Sequence, residues 1–248
     1  VSAPPAVEFK QVSKGFGGRQ VLNKVSFQVP EGEALCILGR SGTGKSVTLK
    51  LMIGLLKPDS GIVCIGDQDI GKCEGENLSK VRRNIGFLFQ SAALFDSFTL
   101  RDNLALPLQR FEKDKSAQEI QKIVQETLDQ VGLGKDLDKL PAALSGGMRK
   151  RAGLARALAL DPKLLLVDEP SSGLDRITAA EIDELLLKVK KERHTTMVIV
   201  THDVHGARKV GDKIAVLDQG CLVSFGTVDE VEKSDNKVAR ELISESSL

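Results

Sequence analysis

Apolar and polar residues alternate along Val7–Val12 and again along Val21–Val29, where Val25, Phe27 and Val29 share one face. Both stretches predict strands, and Gly15, Gly17 and Gly18 mark the connection between them. Ala34–Leu38 is apolar throughout, the pattern of a strand covered on both faces. A glycine-rich loop follows it, and helical spacing then runs from Lys45 to about Leu56. Pro58-Asp59-Ser60-Gly61 predicts a turn, with strands at Ile62–Ile65 and Asn84–Phe89.

The pattern changes over about residues 97–158. Ile120, Ile123, Val124, Thr127, Leu128 and Val131 recur at helical spacing within Ser116–Val131, which Gly132 and Gly134 terminate. Met148–Leu160 predicts a second helix. Strands and helices alternate thereafter: strand Leu164–Val167, helix Ile177–Glu192, strand Met197–Thr201, helix Val204–Val210 and strand Lys213–Leu217. The helix at 177–192 aligns Ile177, Ile182, Leu185, Leu186 and Val189 as an apolar stripe for a sheet. Asp218-Gln219-Gly220 predicts a hairpin turn into Cys221–Phe225, and the polar stretch after Ser234 a peripheral helix or frayed end.

Alternating strands and helices imply an α/β fold with a parallel sheet. The early alternating strands add a small antiparallel β layer, and 97–158 reads as a helical insertion. Residues 6–232 form one domain on this reading, and 233–248 a C-terminal tail.

Composition narrows the function. The 248 residues carry 35 Lys+Arg against 34 Asp+Glu, a net charge of +1, which argues against a nucleic-acid partner. The longest charge-free stretch is twelve residues, Asn84 to Phe95, whereas a membrane span needs about 20 apolar residues. Cys36, Cys64, Cys73 and Cys221 form no CxxC pair and read as small buried thiols in a reducing compartment. No secretory leader pattern is present, and a start at Val1 rather than Met implies a native N-terminus further upstream. Nine Phe, no Tyr and no Trp leave Phe as the ring for any stacking site beyond what His or Arg offers.

Gly39-Arg40-Ser41-Gly42-Thr43-Gly44-Lys45-Ser46 matches GxxxxGK[ST] between a buried strand and a helix. Glycines let backbone amides converge on phosphate oxygens, and the helix N-terminus adds partial positive charge. Lys45 can then bridge the β- and γ-phosphates, and the Ser46 hydroxyl can ligate Mg²⁺. Asp168 and Glu169 follow the apolar strand Leu164–Val167. A carboxylate at that strand end suits a Mg²⁺ ligand, and the next one suits the group that polarises an attacking water. His202 lies at the carboxyl end of another parallel strand, where open α/β sheets bind ligands, so a γ-phosphate contact is its reading. His194 and His205 read as surface residues.

Leu144-Ser145-Gly146-Gly147-Met148 completes a set of motifs with which the chain resembles the nucleotide-binding subunit of ATP-binding cassette (ABC) transporters. The similarity spans residues 6–232. It covers an A-loop aromatic at Phe16, Walker A at 39–46, a Q-loop at Gln90, the signature at 144–148 and Walker B at 164–169. The D-loop at Ser172–Asp175 and the switch His202 complete it. The resemblance implies a P-loop NTPase with a RecA-like parallel-sheet core, and ATP and Mg²⁺ as cofactors. Phe16 would stack adenine, 39–47 would hold phosphates, and Ser46, Asp168 and Gln90 would surround Mg²⁺. Glu169, His202 and Gln90 would carry the chemistry. It further implies a head-to-tail dimer with a second copy, in which Ser145, Gly146 and Gly147 face the partner's ATP and Asp175 lies at the seam. An integral-membrane permease would dock around Gln90–Phe98, placing the chain peripherally on the cytoplasmic face of the inner membrane.

Two residues depart from the family pattern: Met148 where Gln is common, and Val47 where Thr is usual. Ser-Gly-Thr-Gly-Lys-Ser-Val, Phe89–Asp96 and Leu-Ser-Gly-Gly-Met are similar to ATPases of Mla and mammalian-cell-entry (Mce) lipid transporters. That subfamily implies an MCE-domain lipid-binding partner. Other importers or exporters, and soluble ABC ATPases, are the alternatives. Phe87 and Phe89 read as core, Phe95 and Phe98 as core or as a groove for a permease helix. Arg149-Lys150-Arg151 reads as the solvated face of the signature helix.

Overall fold

The computed structural model describes residues 4–244. Strands β1 (Val7–Phe16) and β2 (Arg19–Val29) pair antiparallel, and β3 (Ala34–Leu38) leads through the phosphate loop into α1 (Lys45–Met52). Next come β4 (Ser60–Ile65), the short β5 (Gln68–Asp69), α2 (Gly75–Arg83) and β6 (Ile85–Leu88). Helices α3 (Leu100–Phe111), α4 (Ala117–Gln130) and α5 (Gly146–Leu158) form the predicted insertion. The chain closes with β7 (Leu164–Asp168), α6 (Arg176–Arg193), β8 (Thr196–Thr201), α7 (Val204–Val210), β9 (Lys213–Asp218), β10 (Cys221–Gly226), α8 (Val228–Glu232) and α9 (Lys237–Ser244).

Two sheets result. One is antiparallel, ordered β2-β1-β4-β5; the other is ordered β10-β9-β3-β8-β7-β6 and is parallel except for β10. Every residue of β3, β7 and β8 is buried, because helices cover one face of the sheet and α1 with the antiparallel layer the other. The β9–β10 hairpin turns on Gln219 and Gly220, both at positive φ (47° and 78°), which a two-residue turn of this hand requires.

Helix α5 joins two cores. Leu154, Ala157 and Leu158 pack with the parallel sheet, while Ala152, Ala155 and Ala159 just beyond the helix pack with α3 and α4. The phosphate loop, Walker B, the switch His and the signature therefore hang from one continuous apolar body.

Three expectations change. Helices α2 and α3 add to the predicted elements: α2 buries no residue, whereas α3 buries Leu100, Leu104, Ala105 and Leu108 at helical spacing with Pro107 inside it. A reciprocal cap between Thr99 and Asp102 starts α3, a signal present in the sequence. Ile177 is 76% exposed, because it lies in the first turn of α6, beyond the sheet edge that Ile182, Leu186 and Val189 cover. Within the described part of the C-terminal tail, α9 is anchored: Ala239 and Ile243 are fully buried against the parallel-sheet core. Residues 245–248 lie outside the described residues. Cys36 is buried, and burial pushes its thiol up to about 12; Cys73 is buried, while Cys64 and Cys221 are only partly so.

Candidate active site

The loop between β3 and α1 is shaped by close approaches that exclude side chains. A Cβ on Gly39 would lie 2.5 Å from the Leu217 carbonyl oxygen, and one on Gly44 (φ 101°) 2.9 Å from the Val21 carbonyl oxygen. Thr43 holds the loop from within, its hydroxyl donating to the Arg40 carbonyl at 2.9 Å. Gly44 gives α1 no side-chain cap, and no acidic residue occupies the first turn, so the helix end stays electropositive. Lys45 is buried, and its ammonium donates to the carbonyls of Gly39 (2.7 Å) and Arg40 (3.2 Å) and lies 3.7 Å from Glu169 Oε1.

Strand β7 delivers Asp168 to a buried position behind Ser46, which lines the cleft. Its Oδ1 accepts from the Ser46 hydroxyl at 3.0 Å. Burial raises the Asp168 carboxyl above its ordinary pKa, and the Ser46 hydrogen bond opposes that. A hydroxyl and a carboxylate side by side are hard oxygen donors. No cluster of three or more His, Cys, Asp or Glu is present among the described residues. That sparse set fits Mg²⁺, which is held by one or two protein oxygens plus substrate phosphates and water. Gln90 lines the cleft, but its amide donates to the Ser172 hydroxyl at 3.4 Å rather than to the Ser46–Asp168 pair.

Glu169 adopts φ 48°, a left-handed conformation that is costly for a non-glycine residue and concentrates at functional sites. Its amide donates to the Val200 carbonyl of β8 at 2.9 Å. Its Oε2 lies 2.7 Å from His202 Nδ1 and accepts from the His202 amide at 3.3 Å. The adjoining strand ends of β7 and β8 thus place a carboxylate and an imidazole together, and the start of α1 brings the Lys45 ammonium to the same point. The cleft there is about 690 Å³, lined by Ser41, Gly42, Gly44–Val47, Val21, Gln90, Glu169 and His202.

Ser145, Gly146, Gly147 and Asp175, all anticipated site residues, stand apart from it. Ser145 caps α5 by accepting from the Met148 amide at 3.2 Å, with Gly146 and Gly147 in that first turn. Asp175 caps α6, accepting from the amides of Ile177 and Thr178 at 3.0 Å each. Gly147 permits a close approach of the two helices, since a Cβ there would lie 2.4 Å from Thr178 Cγ2. None of these four lines the cleft of its own chain.

Comparison with known proteins decides the family. The profile described as "ABC transporter" matches residues 22–172. The chain belongs to the ABC transporter family. Members are ATP-hydrolysing cassettes, and the fold agrees: a dimeric ATP-binding cassette in a post-hydrolysis state bound to ADP and Pi superposes with TM-score 0.82 at 35% identity. That match covers 89% of this chain and 98% of the other. The probable ribonucleotide transport ATP-binding protein mkl of Mycobacterium leprae is 45% identical over 96% of this chain and 68% of its own length. The methionine import ATP-binding protein MetN of Corynebacterium glutamicum is 40% identical over 96% of this chain and 67% of its own length. The chain thus spans about two thirds of these curated relatives.

Within this cassette Phe16 sits at the β1–β2 hairpin tip, 46% exposed, and is not among the cleft-lining residues; Val21 is. The Lys14 ammonium lies 5.4 Å from the Phe16 ring. If adenine stacks on Phe16, Phe16→Ala should weaken ATP binding by about 1–3 kcal/mol while leaving the maximal rate intact. Isothermal titration with a non-hydrolysable ATP analogue checks this, and unchanged affinity would assign the base to another surface such as Val21.

Sequence reasoning misplaced one residue here. Lys150 is buried, not solvated, and donates to the Glu169 main-chain carbonyl at 2.7 Å. Burial lowers its pKa, and the charges of Asp168 and Glu169 oppose that. The helical spacing Gly147, Lys150, Leu154, Leu158 carried the signal, because it puts Lys150 on the inward stripe. Asn103 was also missed. It is fully buried, accepts from the Phe95 amide at 2.8 Å and donates to the carbonyls of Phe95, Phe98 and Thr99. That network holds up a loop whose Phe95 and Phe98 rings are 49% and 38% exposed, whereas Phe87 and Phe89 stack together inward.

Proposed function

We propose that this chain is the ATP-hydrolysing motor of a lipid transporter of the Mla/Mce type, whose membrane-crossing half is a separate chain. The observation that carries the motor reading is the convergence of Glu169, His202, Lys45 and the Ser46–Asp168 pair on one cleft. Lys45, the loop amides and the end of α1 bind the triphosphate. Ser46 and Asp168 hold Mg²⁺, which supplies charge neutralisation on the phosphates when bound. Glu169 takes the proton of the attacking water, and His202 orients the carboxylate through Nδ1.

Ser145–Gly147 fall outside their own cleft, which supports a head-to-tail pair in which each signature meets the other copy's ATP. The dimeric relative bound to ADP and Pi is in keeping with that arrangement. ATP then favours the closed pair because it binds that state better, and hydrolysis removes the preference. No described helix is long and apolar enough to cross a membrane. The exposed Phe95 and Phe98 beside the Q-loop suit a permease helix at the cytoplasmic membrane face.

The lipid cargo rests on the Ser-Gly-Thr-Gly-Lys-Ser-Val, Phe89–Asp96 and Leu-Ser-Gly-Gly-Met stretches. A second reading, ribonucleotide cargo, is favoured by the name of the 45% identical M. leprae protein. Purification of the chain from native membranes in detergent, followed by mass spectrometry, separates the two. An MCE-domain partner with bound phospholipid is the expected result; a nucleotide-, sugar- or amino-acid-binding partner would overturn the lipid reading. In the same preparation Phe95→Asp with Phe98→Asp should lose the permease while the chain keeps its melting temperature.

A further inference from the structure

A buried ammonium needs compensating oxygen atoms, and burying one merely for stability is a poor bargain. Lys150 is 5% exposed, and the hydrogen-bond acceptor of its ammonium is the Glu169 main-chain oxygen at 2.7 Å. The same oxygen also accepts from the Ser172 amide at 3.3 Å. Residue 169 stands at positive φ immediately before Pro170, a backbone state that persists only where neighbours over-determine it. Lys150, Ser172 and the Val200 carbonyl are those neighbours. The Cα between the amide held by Val200 and the carbonyl held by Lys150 bears the carboxylate that lies 2.7 Å from His202, so fixing both peptides fixes the direction in which that side chain leaves the backbone.

Lys150 also belongs to α5, the helix whose N-terminus carries Ser145–Gly147. Further along, Arg156 of the same helix donates to the carbonyls of Ala93 (2.6 Å) and Ala92 (3.2 Å), both at positive φ beyond Gln90. One rigid element thus grips the signature, the Glu169 backbone and the loop that carries Phe95.

We propose that Lys150 is a positioning residue, which locks the Glu169 backbone to the signature helix so that engagement of α5 aligns the carboxylate in the same chain's cleft. The proposal rests on Glu169 acting on the attacking water. A double-mutant cycle on the full chain tests both separately: steady-state kcat and ATP KM for wild type, Lys150→Met, Lys150→Arg, Glu169→Gln and Lys150→Met/Glu169→Gln.

Lys150→Met should lower kcat about 10- to 100-fold, the scale of a small misplacement, with KM within about threefold. Lys150→Arg, which keeps a charged donor, should recover most of that loss. The double variant should be no slower than Glu169→Gln alone, because Lys150 has nothing left to position. Losses that multiply in the double variant, or an unaltered kcat in Lys150→Met, overturn the proposal while the role of Glu169 stands. A Glu169→Gln chain at the wild-type rate overturns the role of Glu169 and this proposal with it. Should Lys150→Met fail to fold, Lys150→Gln takes its place in the same cycle, read by the same two criteria.

Discussion

Glu169→Gln should cut steady ATP turnover by about 10²- to 10⁴-fold, the span that general-base catalysis supplies. The amide keeps the size and most contacts of the carboxylate but has no basic lone pair for the proton of water. Lys45, the phosphate loop and the Ser46–Asp168 pair are untouched by the change. ATP affinity should therefore remain near that of the wild type. With ATP bound and unhydrolysed, the head-to-tail pair should persist, and gel filtration with ATP and Mg²⁺ should show a dimer that wild type does not accumulate. Unimpaired turnover would remove Glu169 from the role of base.

The second large effect belongs to Lys45→Ala. A hydrogen bond to a charged group contributes about 1.5–3 kcal/mol, so losing the ammonium should weaken ATP binding or slow turnover by roughly 10- to 150-fold. Two further consequences add to it. The ammonium also ties Gly39 and Arg40, so the loop loosens, and Glu169 loses its nearby cation. Titration with an ATP analogue and a steady-state rate measure both. A variant with normal affinity and rate would mean that the loop binds something other than a triphosphate.

Much of the site was legible before any coordinates because its parts are local. The phosphate loop is eight consecutive residues; Gly39 and Gly44 are demanded by contacts that any side chain would violate, and Gly42 by its positive φ of 79°. Walker B and His202 follow apolar runs that can only be buried strands, and their adjacency in the sheet, β3-β8-β7, brings them together. The hairpin at Gln219-Gly220 was likewise readable from turn chemistry.

What failed was the sorting of charged and apolar residues between inside and outside at element ends. Lys150 sits in a run of three cations and reads as solvated, yet it points into the body. Ile177 fits an apolar stripe and yet faces outward, because the stripe outruns the sheet. Phe16 has the ring that stacking needs, but the hairpin places it outside the cleft lining.

The sequence by itself determined the family, the phosphate loop and the order of the motifs, since backbone conformation and buried-strand patterns are properties of neighbouring residues. The tertiary structure alone decided how α5 packs against β6 and reaches the residue that follows β7. Helical spacing turns Lys150 inward, but that packing, between segments tens of residues apart, decides that its ammonium meets the Glu169 carbonyl.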